Sequence, residues 1–100
     1  MKKKIAVLLS CSLIFFGANA VAGDAEAGKT KAAACAACHG ADGTSGNDIW
    51  PNLKSQKIGY LIKQMKAFRD GGRTDPMMSP MAKALSDEDI DNLAAYYSGL

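Results

Sequence analysis

Beyond its first 22 residues, the chain has no apolar run long enough to span a bilayer, no internal repeat and no alternating pattern typical of strands. It also lacks an excess of positive charge. Once Lys2, Lys3 and Lys4 are set aside, nine basic side chains face ten acidic ones. These absences argue against a membrane-spanning protein and a nucleic-acid binder, and a length of 100 residues argues against a multidomain enzyme.

The first 22 residues have the pattern of an export signal. A positively charged start precedes a short apolar run, and small residues follow. This order is typical of a secretory signal peptide. Cleavage after Ala20 and cleavage after Ala22 both satisfy the small-residue rule, so both sites remain open. We expect a signal peptide over residues 1–22 and a single domain over residues 23–100.

The two cysteines after this segment lie three positions apart, and the second directly precedes the single histidine. Cys35-Ala36-Ala37-Cys38-His39 is the C-x-x-C-H pattern of covalent haem attachment. In such a site two thiols bond to the two vinyl groups of haem, and the following imidazole binds the iron. The pattern therefore predicts Cys35 and Cys38 as thioether anchors and His39 as the proximal iron ligand.

Two other kinds of site use the same residue types. A dithiol redox pair normally accompanies a βαβ pattern, and this sequence has no strand pattern. A structural zinc ion takes four ligands, whereas this domain offers two cysteines and one histidine without a second cluster. Haem is therefore favoured, with the thiol redox pair and the zinc site as alternatives.

Three stretches of the domain have helical patterning. The first begins at the N-cap residue Asp24 and runs toward Cys35. Gly28 within it predicts a close helix crossing, with a tolerated surface glycine as the alternative. The second covers residues 55–69, and the last begins at residues 86–89 with a serine followed by an acid three positions later. We predict an all-α fold of about three main helices. Because fewer than 80 residues bury little surface, the helices should pack around the haem.

On these motifs the chain resembles the small bacterial class I cytochromes c, the short single-haem kind that also forms each half of two-haem periplasmic cytochromes. The shared motifs, in order, are Gly-Asp-Ala-Glu-Ala-Gly at 23–28, Cys35-Ala36-Ala37-Cys38-His39-Gly40, Pro51-Asn52-Leu53, Tyr60-Leu61, Phe68-Arg69-Asp70-Gly71, Met77-Met78, and Leu85-Ser86-Asp87-Glu88 to Tyr96. The resemblance implies a class I cytochrome c fold around one covalently attached haem c.

The resemblance also implies a methionine as the second axial ligand of the iron. Met77, Met78 and Met81 lie together in the loop before the last helix. In similar sequences the ligand precedes that helix by a fixed interval, which favours Met78, with Met81 as the main alternative and Met77 as the third. Pro76 and Pro80 restrict the backbone of this loop and help to hold a weak thioether on the iron.

Further contacts with the haem and its ligands are implied in the same way. The carbonyl of Pro51 would accept the Nδ1–H of the proximal histidine and fix its tautomer, with an ordinary turn proline as the alternative. Trp50 and Arg73 would reach the propionates, with packing or surface roles as the alternatives. Gly28 would meet Tyr96 where the first and last helices cross.

With both axial positions filled, neither substrate nor oxygen finds an open site on the iron. The predicted function is therefore periplasmic electron transfer between respiratory-chain partners rather than catalysis. A haem-based gas sensor or peroxidase-like protein with a labile methionine bond is the alternative. Redox proteins are the expected partners, namely respiratory membrane complexes, a terminal oxidase or a periplasmic reductase, met in small transient contacts. We expect a monomer without nucleic-acid binding or stable membrane insertion.

Overall fold

A computed structural model describes residues 2–7, 10, 12 and 23–100. The predicted signal peptide is described only in fragments, and both predicted cleavage sites, after Ala20 and after Ala22, lie outside the described residues. Within these ranges the secondary structure is entirely helical, and none of the helices is long and apolar enough to cross a bilayer.

The domain contains five α-helices and one 3₁₀ turn in the described range 23–100. Their bounds are α1 Ala25–Lys31, the 3₁₀ turn Ala32–Ala34, α2 Ala36–His39, α3 Ile58–Asp70, α4 Met78–Lys83 and α5 Asp87–Ser98. Helix α5 packs against both α1 and α3, and α4 packs against α3. Their buried side chains form the core on which the functional site rests, and the largest are Leu61, Phe68, Ile90, Leu93 and Tyr97.

One helix boundary and the structure of one segment differ from those predicted. The second helix begins at Ile58 rather than Ser55, because Ser55 has a φ of 60° and its backbone N–H donates to the carbonyl of Tyr97 at 2.9 Å. The segment expected to be a loop around Met78 is instead the short helix α4. Pro80 is compatible with α4 because it lies in the first turn, where a backbone N–H has no helical partner.

Side-chain caps explain where the first and last helices begin. The side chain of Asp24 accepts hydrogen bonds from the backbone N–H groups of Glu26 and Ala27 in α1. Ser86 and Asp89 form a reciprocal capping box at the start of α5, with both bonds at 3.0 Å. The start signals predicted at both helices are therefore confirmed.

Helices α1 and α5 cross at Gly28, as the sequence predicts. A Cβ atom at Gly28 would lie 2.0 Å from the carbonyl oxygen of Asn92 and 2.9 Å from Cβ of Tyr96. Only glycine allows this approach. Because α1 leads directly into the segment with the two cysteines, the crossing fixes where that segment lies relative to α5.

Replacing Gly28 with alanine should lower the free energy of unfolding by about 1–3 kcal/mol, since the added methyl group forces α1 and α5 apart. Gly59→Ala is a matched control, because a Cβ atom at Gly59 in α3 meets no atom within 4 Å. The control should be neutral or stabilising by up to about 1 kcal/mol. Urea unfolding of both variants measures the difference, and equal midpoints would contradict the close crossing.

Candidate haem site

A large cavity of about 930 Å³ opens between α3, α4 and the segment from Lys31 to Leu53. Its size is near the top of the range of roughly 300–1,000 Å³ typical of ligand sites. The residues predicted to bind haem or its iron all line this cavity. They are Cys35, Cys38, His39, Trp50, Pro51, Arg73, Met77, Met78 and Met81.

Both cysteines line the cavity. Cys35 directly precedes α2, and Cys38 lies within α2. Both thiols are free and half-buried, and their spacing of three places them on one side of a helical turn. Burial raises the pKa of the Cys35 thiol, against smaller opposing effects of the Tyr97 hydroxyl and of the Lys31 charge. The turn that leads into α2 and α2 itself thus each present one thiol to the cavity.

His39 ends α2 and is only 6% exposed. Its Nδ1 lies 2.7 Å from the carbonyl oxygen of Pro51, the contact that the resemblance implied. Because a carbonyl oxygen only accepts hydrogen bonds, Nδ1 carries the proton. The lone pair of Nε2 is then available to bind a metal ion.

The loop that carries Pro51 is held by hydrogen bonds to a glycine. The carbonyl of Gly43 accepts from the backbone N–H groups of Leu53 at 2.7 Å and Lys54 at 3.1 Å. Gly43 has a φ of 82°, and a Cβ atom there would lie 2.8 Å from the Lys54 nitrogen. Sequence reasoning placed Gly43 in a loop without assigning it this role, although its glycine-rich surroundings were a usable signal.

The three methionines differ in how far they are buried. Met77 is 59% exposed and Met81 is 47% exposed, whereas Met78 is half-buried at the start of α4. The backbone N–H of Met78 donates to Oδ1 of Asp75 at 2.8 Å. Of the three methionines, Met78 is therefore the least exposed to solvent at the cavity wall.

Trp50 and Arg73 also border the cavity, and the contacts of Arg73 are with α3. Its Nη1 donates to Oε1 of Gln64 at 2.8 Å, and its guanidinium carbon lies 4.5 Å from the centroid of the Phe68 ring. These contacts place a cation at the cavity edge. The predicted role of Trp50 and Arg73 toward propionates remains a prediction.

A second arginine, which sequence reasoning did not assign, connects the helices around α4. Nη1 of Arg69 donates to Oδ1 of Asp87 at 2.7 Å and to the carbonyl of Leu85 at 3.4 Å. Its Nε donates to Asp70 at 2.9 Å. The hydrogen bond from Arg69 lowers the pKa of the Asp87 carboxyl. Arg69 thus joins the end of α3 to the segment between α4 and α5.

The donor set of the cavity fits haem c. The free thiols of Cys35 and Cys38, the available Nε2 of His39 and the nearby thioether of Met78 are the groups that a covalently held, axially ligated haem requires. No cluster of three or more His, Cys, Asp or Glu side chains suited to a metal ion occurs among the residues that the structure describes.

A family model described as "Cytochrome c" matches residues 25–100. The chain belongs to the cytochrome c family. Members of this family hold haem c covalently and transfer electrons. The predicted class I fold, the covalently bound haem c and the electron-transfer function are therefore confirmed.

Two relatives and one solved structure show how far the similarity extends. The cytochrome is 52% identical over 80 residues to cytochrome c-554(548) of Halomonas halodenitrificans, covering 77% of this chain and 96% of that protein. It is 45% identical over 95 residues to cytochrome c4 of Pseudomonas aeruginosa, covering 95% of this chain and 47% of that protein. The crystal structure of reduced recombinant cytochrome c4 from Pseudomonas stutzeri matches with a TM-score of 0.73 and 42% identity, over 76% of this chain and 45% of that one. This cytochrome thus spans about half the length of the cytochromes c4.

Proposed function

We propose that this cytochrome is a periplasmic one-electron carrier in which His39 and Met78 bind the haem iron and Cys35 and Cys38 anchor the macrocycle. The observation that carries the proposal is the convergence of these four side chains on one cavity, although α4 is far from α2 in sequence. When bound, haem supplies reversible one-electron chemistry at its iron.

The two proposed axial ligands contribute to the site in different ways. The Pro51 carbonyl orients the His39 ring and increases the basicity of Nε2. Met78 would supply a neutral sulfur to the iron, a ligand that raises the reduction potential of a haem. With both positions filled by residues that stay in place, an electron is gained or lost with little rearrangement of the site.

The apolar walls of the cavity set the electrostatics of the site. Leu61, Phe68, Leu93 and Tyr97 are buried and line the cavity. Because they exclude water, they disfavour the more positively charged oxidised iron and thereby raise the potential. This effect adds to that of the methionine sulfur.

The exposed side chains at the rim of the same cavity support the binding of transient redox partners. Ile49, Tyr60, Met77 and Met81 are large apolar side chains that both line the cavity and remain exposed. Exposed apolar groups around a redox centre suit the small, short-lived contacts of electron-transfer encounters. We propose respiratory membrane complexes, a terminal oxidase or a periplasmic reductase as partners of a monomeric carrier.

Visible spectra of the purified holoprotein, oxidised and reduced, test the proposed function. We expect a weak far-red band of methionine–iron(III) ligation in the oxidised protein, no binding of carbon monoxide in the reduced protein and a reversible one-electron titration. A missing far-red band together with rapid carbon monoxide binding would instead support the gas sensor or peroxidase-like alternative. A colourless product with two free thiols would support the thiol redox pair.

A further inference from the structure

We propose that Asp75 is a positioning residue for the axial thioether, because its side chain fixes the backbone of Met78. This inference rests on the proposed ligation of the iron by Met78. It concerns the equilibrium between an iron-bound and a released methionine, rather than the identity of the ligand.

Four hydrogen bonds join Asp75 to the residues around Met78. Oδ1 of Asp75 accepts from the backbone N–H of Met77 and from that of Met78, both at 2.8 Å. The carbonyl of Asp75 accepts from the N–H of Ser79 at 3.0 Å, and Oγ of Ser79 accepts from the N–H of Asp75 at 2.9 Å. The two N–H groups also lower the pKa of the Asp75 carboxyl, that of Met78 having the larger effect.

Helix α4 depends on such support more than the longer helices do. It spans only Met78–Lys83, and a helix of this length is not stable by itself in water. It packs against α3, and Ala82 is its one fully buried residue. The bonds from Asp75 therefore act together with the packing against α3 to hold the backbone of Met78 in place.

Asp24 offers a matched control at another helix. Its Oδ1 accepts from the N–H groups of Glu26 at 2.9 Å and Ala27 at 3.4 Å, the same kind of cap at the start of α1. Helix α1 packs against α5 and carries none of the methionines. Removal of this cap should weaken the fold without favouring release of Met78.

Imidazole binding to the oxidised holoprotein measures how readily the methionine leaves the iron. We expect Asp75→Ala to bind imidazole about fivefold more tightly than the wild type, because loss of a typical cap raises the population of the open state by about this factor. Asp75→Asn keeps an oxygen acceptor at the same position and should stay within about twofold of the wild type. Asp24→Ala should leave imidazole affinity unchanged while it lowers the urea midpoint of global unfolding.

Several outcomes would contradict the inference. Equal imidazole affinities in Asp75→Ala and the wild type, or equal increases in Asp75→Ala and Asp24→Ala, would overturn it while the far-red band of the wild type upholds the proposed ligation. If the wild type lacks that band, the proposed ligation fails and the inference falls with it.

If Asp75→Ala does not accumulate as holoprotein, Ser79→Ala removes a single bond of the set, and we expect a roughly twofold tighter imidazole affinity. An unchanged affinity in that variant would overturn the inference.

Discussion

The double variant Cys35→Ala/Cys38→Ala, expressed without attached haem, should be largely unfolded. The physical reason is the size of the cavity, about 930 Å³. Without haem, the apolar side chains that line this cavity would be exposed to water, and a domain of fewer than 80 residues buries little other surface to offset that loss. The helices around it therefore cannot keep their native packing when the haem is absent.

Far-UV circular dichroism during thermal unfolding measures this effect. The double variant should lose most of its helical signal and show no cooperative transition. The single variant Cys35→Ala is the control, because it keeps one thioether anchor and both proposed axial ligands and should stay folded and coloured. A cooperative unfolding transition of the colourless double variant would show that the core is stable without haem.

Met78→Ala should open the iron to external ligands. The loss of a neutral sulfur ligand should remove the far-red band, allow carbon monoxide to bind the reduced protein and lower the reduction potential by about 0.2 V, a fraction of the roughly 0.8 V over which axial ligands set haem potentials. The potential falls because the methionine sulfur stabilises the reduced iron, and water or another donor would take its place.

The neighbouring methionines provide matched controls for this variant. Met77→Ala and Met81→Ala remove side chains of the same type that are more exposed than Met78 and line the same cavity. Both should keep the far-red band, exclude carbon monoxide and change the potential only slightly. If Met81→Ala loses the band and Met78→Ala keeps it, Met81 is the ligand instead.

The features that could be predicted from the sequence are those set by local chemistry. The C-x-x-C-H pattern, the Ser86–Asp89 capping box and the glycine at a helix crossing each depend on a few adjacent residues or on one residue type. The bond between His39 and Pro51 followed from the resemblance to a family, since nothing in the spacing of these two residues alone requires it.

The features that could not be predicted depend on contacts between distant segments. Ser55 does not begin a helix because the Tyr97 carbonyl holds its backbone elsewhere. Helix α4 forms because it packs against α3 and because Asp75 caps its first turn. The role of Arg69 is visible only once α5 brings Asp87 to it. Composition and periodicity contain none of these tertiary partners.

The three proposed ligating and anchoring residues before α3 lie within five consecutive positions, whereas Met78 joins them only through tertiary packing. Bond formation at the cysteines therefore does not require the rest of the chain to be folded. An extended chain can bind its haem covalently before it folds. The sulfur of Met78, the proposed axial ligand, would reach the iron only afterwards. Formation of the bond between this sulfur and the iron would be the last step of folding, and its absorption band would let folding experiments detect that step.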